Sequence, residues 1–244
     1  VCPVGALVER EHKWDKALKT IPTTCTHCSV GCQVNLEVDS SGEVIRSIGN
    51  WEAKANIGQL CFKGKFGMEF INSKERVKTP LLKDGNEYKE ISWDEAIKII
   101  GSKLKDYYGD KFSLLVGPKV TNEDAYIAQK FSRTVMKSNN VDMATPYGDS
   151  LVRKLGESIG TMAGSGSLQE LENASCAIVF NANITELHNV AAIPIKKGRQ
   201  QKTLDLIVID PREVELTRYA TLWLRPHPGT ENLLLAGILS EIVS

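Results

Sequence analysis

The sequence Thr24-Cys25-Thr26-His27-Cys28-Ser29-Val30-Gly31-Cys32 places three cysteines within one short loop, and Leu60-Cys61-Phe62-Lys63 supplies a fourth. Between these two segments, residues 33–38 and 44–48 alternate apolar and polar side chains on either side of the turn residues Asp39-Ser40-Ser41-Gly42. This pattern predicts a β-hairpin that returns Cys61 to the first three cysteines.

The four cysteines have the number and spacing of a [4Fe-4S] site. A cubane cluster requires four thiolates, and Gly31 gives the backbone the freedom to wrap closely around it. Cys25, Cys28 and Cys32 lie too close along the chain to form disulfides with one another comfortably. Structural zinc is the alternative, but it usually uses paired two-residue spacings, so the three-residue gap before Cys32 favours iron and sulfur. We expect His27 to form a hydrogen bond or lie at the surface, and Cys176 to be a small buried core residue.

The composition is that of an ordinary globular protein. Of the 244 residues, 42% are hydrophobic and 25% are charged, and 30 basic residues balance 30 acidic ones. The neutral balance argues against a nucleic-acid partner. No stretch approaches the roughly 18 apolar residues of a membrane span, and the start lacks the layout of a signal peptide. The sequence therefore predicts a cytoplasmic protein without a membrane span.

The first residues, Val1-Cys2-Pro3-Val4-Gly5-Ala6-Leu7, resemble the end of a bacterial ferredoxin motif, in which a proline follows the last cysteine. We expect Cys2 to ligate a further cluster whose other cysteines lie upstream. The chain is accordingly interpreted as part of a longer protein.

After residue 92 the pattern changes to alternating helices and strands. Ser92 to Glu95 has the form of a capping box, and Asn122 to about Lys137 is predicted as a second helix. Leu114 to Val116 is predicted as a short buried strand. Three further predicted strands follow at 177–180, 204–209 and 221–224, and the last of them is an edge strand. This order predicts an α/β fold with a doubly wound, mostly parallel sheet behind a small cluster domain.

Ligands of such sheets bind at the carboxyl ends of the strands. Polar residues follow two of the predicted strands there, namely Asn181, Asn183, Thr185 and Glu186, and Asp210 and Arg212. Amide, hydroxyl, carboxylate and guanidinium groups suit a guanine nucleotide. Alternatively, Asn181 and Asp210 cap helices.

Ordered blocks along almost the whole chain resemble the molybdopterin oxidoreductase family, in particular formate dehydrogenase catalytic subunits and the large iron-sulfur subunit of respiratory complex I. Besides the two cysteine segments, the blocks are Arg76, Thr79-Pro80-Leu81-Leu82, Ile91-Ser92-Trp93-Asp94-Glu95-Ala96, Thr121-Asn122-Glu123-Asp124, Val179-Phe180-Asn181-Ala182-Asn183, Ile209-Asp210-Pro211-Arg212 and Pro228-Gly229-Thr230-Glu231.

The resemblance implies a cluster that exchanges electrons with molybdenum or tungsten held by molybdopterin guanine dinucleotide. It places Lys63 between cluster and pterin, and it places Asn181, Asn183, Thr185, Glu186, Asp210, Arg212, Gly229 and Thr230 at the dinucleotide. The implied domains are the tail of a ferredoxin-like domain with a linker at 1–20, a [4Fe-4S] domain at 21–80 and an α/β pterin-dinucleotide-binding-like domain at 81–244. The implied partners are redox subunits that carry flavin, NAD or further iron-sulfur clusters.

The sequence departs from formate dehydrogenases at the metal ligand. Those enzymes place cysteine or selenocysteine, followed by histidine, after a segment like Asn139-Asn140-Val141-Asp142, but residues 143–150 contain neither. Asp149 or Ser150 has suitable oxygen donors. Three hypotheses follow: an electron-transfer subunit of an NAD- or ferredoxin-linked oxidoreductase, an active molybdenum or tungsten enzyme such as formate dehydrogenase, and a zinc-stabilised structural module. The missing cysteine favours the first.

Overall fold

The computed structural model describes residue 12 and residues 14–144, 149–162 and 164–244, with the side chains of residues 149–152 outside that description. Cys2 also lies outside the described residues. The chain forms two compact units, of which one combines Val1–Asn72 with Gly164–Ser244 and the other comprises Ser73–Ala163. Among the described residues, no helix combines the length and the apolar character needed to cross a bilayer.

The first unit begins with an antiparallel sheet of three strands, β1 (Lys19–Thr24), β2 (Gln33–Val38) and β3 (Val44–Gly49), in that spatial order. Strands β2 and β3 form the predicted hairpin, in which Val34 pairs with Gly49 and Val38 with Val44. The Asp39 carboxylate closes the turn by accepting hydrogen bonds from the backbone N–H groups of Ser41 and Glu43. Alternate residues of β2 are buried, as a sheet with one covered face requires.

A short helix, α1 (Phe62–Phe66), starts directly after Cys61, and a 3-10 turn follows at Glu69–Ile71. The sheet and these turns enclose a small hydrophobic core. Its buried members are Cys25, Cys32, Val34, Leu36, Met68 and Val190. Two of the four clustered cysteines are therefore core residues.

The second unit holds a hairpin and a two-stranded parallel sheet. Its elements are β4 (Leu81–Asp84), β5 (Glu87–Glu90), α2 (Trp93–Leu104), β6 (Leu114–Val116), α3 (Asn122–Lys130), β7 (Val141–Met143) and α4 (Asp149–Ile159). Strand β4 pairs with β5, and β6 pairs with β7 in parallel. The Ser92 hydroxyl caps α2 by accepting from the Glu95 N–H group at 3.2 Å.

Two predictions in this unit are corrected. Strand β6 is not a buried strand, because Leu115 is 75% exposed. The predicted helix from Asn122 to Lys137 remains α-helical only to Lys130, and a π-helical turn continues it over Phe131–Val135. An extra residue in that turn widens the helix and shifts the hydrogen-bond pattern, which hydrophobic periodicity does not report.

The first unit resumes with a parallel sheet flanked by helices. The elements are α5 (Leu168–Asn173), β8 (Cys176–Phe180), α6 (Ile184–Leu187), α7 (Asn189–Gln200), β9 (Asp205–Ile209), β10 (Leu222–Leu224) and α8 (Glu231–Val243). The spatial strand order is β10-β9-β8, with all pairs parallel and β10 at an edge. This arrangement confirms the α/β class behind a small β-rich cluster domain.

A second hydrophobic core lies on this sheet, with Val179, Ile195, Leu204, Leu206, Val208, Val214 and Leu216 buried. Helix α7 belongs to both cores, since Val190 enters the first and Ile195 the second. The prediction that Cys176 is buried is wrong, because its side chain is exposed at the start of β8. Its apolar neighbours along the strand do not cover the strand's first residue.

Candidate functional site

Cys25, Cys28, Cys32 and Cys61 line a single cavity of about 170 Å³ in the first unit. Cys25 and Cys32 are buried, whereas Cys28 and Cys61 are partly exposed. The cavity therefore has a closed side and a more open side. Convergence of four thiols from two loops is the arrangement that the sequence predicts.

The loop that carries the first three cysteines closes on itself, because the Cys25 N–H group donates to the Cys32 carbonyl at 2.8 Å. Gly31 has a φ of +67°, a left-handed conformation that turns the chain sharply just before Cys32 and that glycine adopts without strain. Cys61 occupies the N-cap position of α1, and its carbonyl accepts from the Lys65 N–H group at 3.0 Å. Both halves of the site are thus held by backbone hydrogen bonds.

Helix α1 is fixed to the sheet beneath the cavity. The buried Ser47 hydroxyl donates to the Gly64 carbonyl at 2.7 Å, and the Lys65 ammonium donates to the Ser47 carbonyl at 2.6 Å. A Cβ atom at Gly64 would lie 3.8 Å from the Cys25 sulfur, so the backbone of α1 comes close to the cysteine cavity at this residue.

His27 connects the two cysteine segments. Its Nε2 atom lies 3.0 Å from the Gly67 carbonyl oxygen at the end of α1, and its ring meets Phe70 edge-on. A carbonyl accepts only, so Nε2 carries the proton in this contact. The prediction that His27 is a hydrogen-bonding residue is confirmed.

The four thiols influence one another electrostatically. Burial raises the pKa of Cys32 to about 11, and the charges of Cys25, Cys28 and Cys61 add to the effect. Burial also raises the pKa of Cys25, while a hydrogen bond from the His27 backbone opposes the rise. The free thiols of Cys25 and Cys32 therefore stay protonated at neutral pH, so a bound cationic centre must displace their protons.

The cavity suits a cluster better than a single ion. In a zinc site, four thiolates lie at about 2.3 Å from one point. Within the part of the chain that the structure describes, no three His, Cys, Asp or Glu side chains are grouped to hold one metal ion. The cysteines instead surround a space, which is what a polynuclear iron-sulfur group fills.

The segment after β8 forms part of the wall of the same cavity. Thr185, Glu186 and Leu187 from α6, with Asn189 and Val190 from α7, line it together with Lys63. Thr185 is buried, and its hydroxyl lies 3.0 Å from the Asn183 amide oxygen. The structure therefore brings three residues predicted to contact the pterin dinucleotide, Lys63, Thr185 and Glu186, to the cysteine cavity.

The other predicted nucleotide-site residues lie at or just beyond the carboxyl ends of β8, β9 and β10. Asn181 has a φ of +49°, and its amide donates to the Glu231 carboxylate at 3.3 Å. That carboxylate also accepts from the Gly229 N–H group at 2.8 Å. The pKa of Glu231 is lowered by hydrogen bonds from its own backbone N–H group, from Asn181 and from Gly229. Glu231 thus links α8 to the end of β8.

Asp210 and Arg212 follow β9 at the same edge. Asp210 is 2% exposed, accepts from the Arg212 backbone N–H group at 2.8 Å and lies 3.7 Å from the Arg212 guanidinium. The Thr230 hydroxyl donates to the His227 carbonyl at 2.7 Å. Asp210 stabilises the turn after its strand, and the exposed Arg212 guanidinium remains accessible to an anionic group.

Sequence reasoning missed Glu231 and His188 as members of these sites. Glu231 was visible as the end of the block that begins at Pro228, but its contact with Asn181 depends on the position of α8. His188 contacts the cysteine loop from the junction of α6 and α7, and no local pattern marks it. The candidate metal ligands Asp149 and Ser150 lie outside the described side chains and stay predictions.

Comparison with known proteins identifies two family matches. Residues 18–73 match the molybdopterin oxidoreductase Fe4S4 domain, and residues 76–244 match the molybdopterin oxidoreductase family. The F420-dependent formate dehydrogenase 1 subunit alpha of Methanococcus maripaludis is 35% identical over 93% of this chain and 33% of its own length. A probable oxidoreductase of Bacillus subtilis is 33% identical over 94% of this chain and 24% of its own length.

The acetylene hydratase of Pelobacter acetylenicus has a similar fold, with a TM-score of 0.69 and 20% identity over 92% of this chain and 32% of that structure. The chain spans between a quarter and a third of the length of these relatives. An Fe4S4 domain is therefore followed by a molybdopterin oxidoreductase α/β domain.

Proposed function

Because the chain belongs to the molybdopterin oxidoreductase family, we propose that it is the iron-sulfur electron-transfer part of a formate dehydrogenase-like oxidoreductase. Cys25, Cys28, Cys32 and Cys61 hold a [4Fe-4S] cluster, which supplies one-electron chemistry when bound. The observation that carries this proposal is the convergence of all four thiols on one cavity. The match of residues 18–73 to the Fe4S4 domain supports it.

The residues around the cavity suit electron transfer. Lys63 provides a positive charge at the wall, which favours a more negative, reduced centre. Lys63 lines the cavity together with Thr185 and Glu186 of α6, which supports the role between cluster and pterin that the family resemblance implies. The His27 and Ser47 hydrogen bonds keep the two ligand segments at a fixed separation, so that little reorganisation accompanies a change of charge.

The carboxyl edge of the parallel sheet is the proposed site for a pterin guanine dinucleotide. The exposed guanidinium of Arg212 suits a phosphate, and the amide of Asn181 and the carboxylate of Glu231 suit hydrogen-bonding groups. Lys63, Asn183, Thr185, Glu186, Asp210, Gly229 and Thr230 complete the proposed dinucleotide site. In the second candidate function, described below, this dinucleotide would hold molybdenum or tungsten.

The proposed partners are redox subunits that carry flavin, NAD or further iron-sulfur clusters, and Cys2 is proposed as a ligand of one further cluster. The relative from Methanococcus maripaludis is named as a subunit alpha, which supports partner chains. We place the protein in the cytoplasm.

An active molybdenum or tungsten oxidoreductase, such as a formate dehydrogenase, is the second candidate. The length of the family match and the polar sheet edge favour it. Against it stands the sequence of residues 143–150. The family resemblance implies a cysteine or selenocysteine ligand and a histidine there, and this chain has neither. Formate oxidation would lack both its usual metal ligand and a neighbouring proton acceptor.

The test is a metal analysis of the anaerobically purified full-length protein, with Cys28→Ser and Cys176→Ser compared. Cys28→Ser should lose about four iron atoms per chain and the matching EPR signal, because a cubane needs four thiolates. Cys176→Ser is the matched control, since Cys176 is exposed and outside the cavity, and it should keep its iron. Thermal melting of both variants separates cluster loss from unfolding.

Iron without molybdenum or tungsten would support the electron-transfer role. Stoichiometric molybdenum or tungsten with formate-dependent reduction would replace it by the second candidate. One zinc per chain in place of the iron would overturn both.

A further inference from the structure

A side-chain hydrogen bond joins the cysteine loop to the α6–α7 junction, which is distant in sequence. The Ser29 hydroxyl oxygen lies 3.0 Å from His188 Nε2, across 159 residues of sequence. Ser29 directly follows Cys28, one of the two partly exposed cysteines. The contact therefore lies beside the open side of the cavity.

Two hydrogen bonds hold the backbone of His188 in place. Its N–H group donates to the Ile184 carbonyl at 2.9 Å, and its carbonyl accepts from the Ala191 N–H group at 2.8 Å. Its neighbours Leu187 and Asn189 line the cavity, and Val190 is buried in the core that contains Cys25 and Cys32. The backbone of His188 is thus fixed beside the cavity, and its imidazole can anchor the cysteine loop there.

We propose that His188 is a positioning residue that holds the Cys25–Cys32 loop against the α6–α7 junction and thereby sets the redox potential of the cluster. The proposal rests on the proposed function, in which the four cysteines bind that cluster. A hydroxyl can donate to an unprotonated Nε2 or accept from a protonated one, so either imidazole tautomer preserves the contact.

The physical link to the potential is solvent access. A cluster with four thiolate ligands carries net negative charge, and reduction makes that charge larger. Water stabilises the more highly charged form, so a cluster that is more exposed is easier to reduce. Loss of the Ser29–His188 contact frees the loop at Cys28, admits water to the open side and raises the midpoint potential.

The experiment is an EPR-monitored redox titration of the full-length holoprotein. Ser29→Ala and His188→Ala should each raise the midpoint potential, by an amount that corresponds to a several-fold change in the equilibrium constant for reduction. The double variant should show no larger shift than either single variant, because both remove the same contact. His188→Gln, which can still bond the Ser29 hydroxyl, should restore most of the wild-type potential.

The control is His227→Ala. His227 is an exposed histidine of the same unit that does not line the cavity, so its replacement should leave the potential unchanged. Iron content is measured for every variant. Ser29→Ala removes one exposed hydroxyl group and keeps all four cysteines, so it provides a cluster-loaded variant even where His188→Ala loses iron.

An unchanged potential in iron-loaded Ser29→Ala would overturn the inference, and so would equal shifts in His188→Ala and His227→Ala. Absence of iron from the wild-type protein is a different result, because it would refute the proposed function itself.

Discussion

At the scale of single residues, the cysteine cavity is controlled by burial. Cys32 is 6% exposed and Cys25 is 8% exposed, and their thiol pKa values are raised mainly for that reason. Protonated thiols are poor ligands, so the site depends on a strongly cationic centre to hold four thiolates together. The same burial keeps water away from that centre.

The surface carboxylate of Glu215 has a lowered pKa, in contrast to the raised pKa values of the two buried thiols. The hydrogen bond and charge of Lys196, with smaller contributions from Thr185 and Arg218, lower the pKa of Glu215. Thr185 also lines the cysteine cavity, so this ion pair supports the residue that forms part of the cavity wall.

We predict that Glu215→Gln removes an acid-sensitive contribution to stability. A lowered folded-state pKa means that the ionised carboxylate stabilises the fold above the ordinary glutamate value of about 4.3. This contribution is lost as the pH falls through the lower folded value. The variant should therefore unfold at a lower temperature than wild type at pH 7. The loss in free energy of unfolding should be no more than about 1 kcal/mol, because the ion pair is partly exposed.

Thermal melting between pH 3.5 and pH 7 checks this prediction. The difference between variant and wild type should shrink at the acid end. Glu213→Gln, at an exposed carboxylate two residues earlier, is the control. A gap that stays constant across the pH range would show that Glu215 acts through packing instead of charge.

At the scale of elements, the placement of Cys61 depends on the segment that joins β3 to α1. The buried Asn56 side chain accepts from the Gln33 N–H group at 2.9 Å and donates to the Gln33 and Gln59 carbonyls. The end of β3 packs directly against this segment, since a Cβ atom at Gly49 would lie 1.9 Å from the Gly58 carbonyl oxygen. No side chain fits between the two backbones.

We predict that Gly49→Ala displaces this segment and moves Cys61 out of position. Overpacking of this kind costs about 2–3 kcal/mol, and here it also separates one ligand from three. Iron content and the denaturation midpoint of the purified variant should both fall. Gly42→Ala is the matched control. An added Cβ atom at this turn glycine meets no neighbouring atom, so the only cost of the substitution is the strain of a φ of +88°.

Gly42→Ala should lower stability by about 1–2 kcal/mol while leaving iron content intact. Equal iron content in Gly49→Ala and wild type would contradict the close backbone contact. It would also remove the argument that β3 sets the position of the fourth ligand.

At the scale of the molecule, helix α7 contacts both the cysteine-containing part of the first unit and its parallel sheet. Val190 is 3% exposed in the cysteine-containing core, and Ile195 is 3% exposed in the sheet core. A packing change at one end of this helix therefore affects the packing of both cores.

We predict that Val190→Ala destabilises the protein by about 2 kcal/mol, from lost burial and the space left behind. Because the space opens beside Cys25 and Cys32, the variant should also lose its cluster faster under oxygen. Chemical denaturation and the decay of cluster absorbance measure the two effects. Val243→Ala, at an exposed position of α8, should change neither, and equal decay rates for both variants would refute the prediction.

The sequence predicted much of this molecule. Cysteine spacing, turn residues and strand periodicity predicted the hairpin and the convergence of Cys61 on the other three cysteines, and ordered sequence blocks indicated the family. These features are local, or they depend on chain geometry over a few tens of residues. The domain boundaries, the ligand roles of individual residues and the metal site near Asp149 remain predictions.

Only the tertiary structure decided which distant residues meet. That Thr185 and Glu186 line the cysteine cavity, that Ser29 meets His188 and that Glu231 meets Asn181 depends on how the sheet and its helices pack. The exposure of Cys176 and Leu115 has the same origin. A residue's own sequence neighbourhood sets its backbone conformation, whereas its burial and its partners are set by whatever packs against it from elsewhere in the chain.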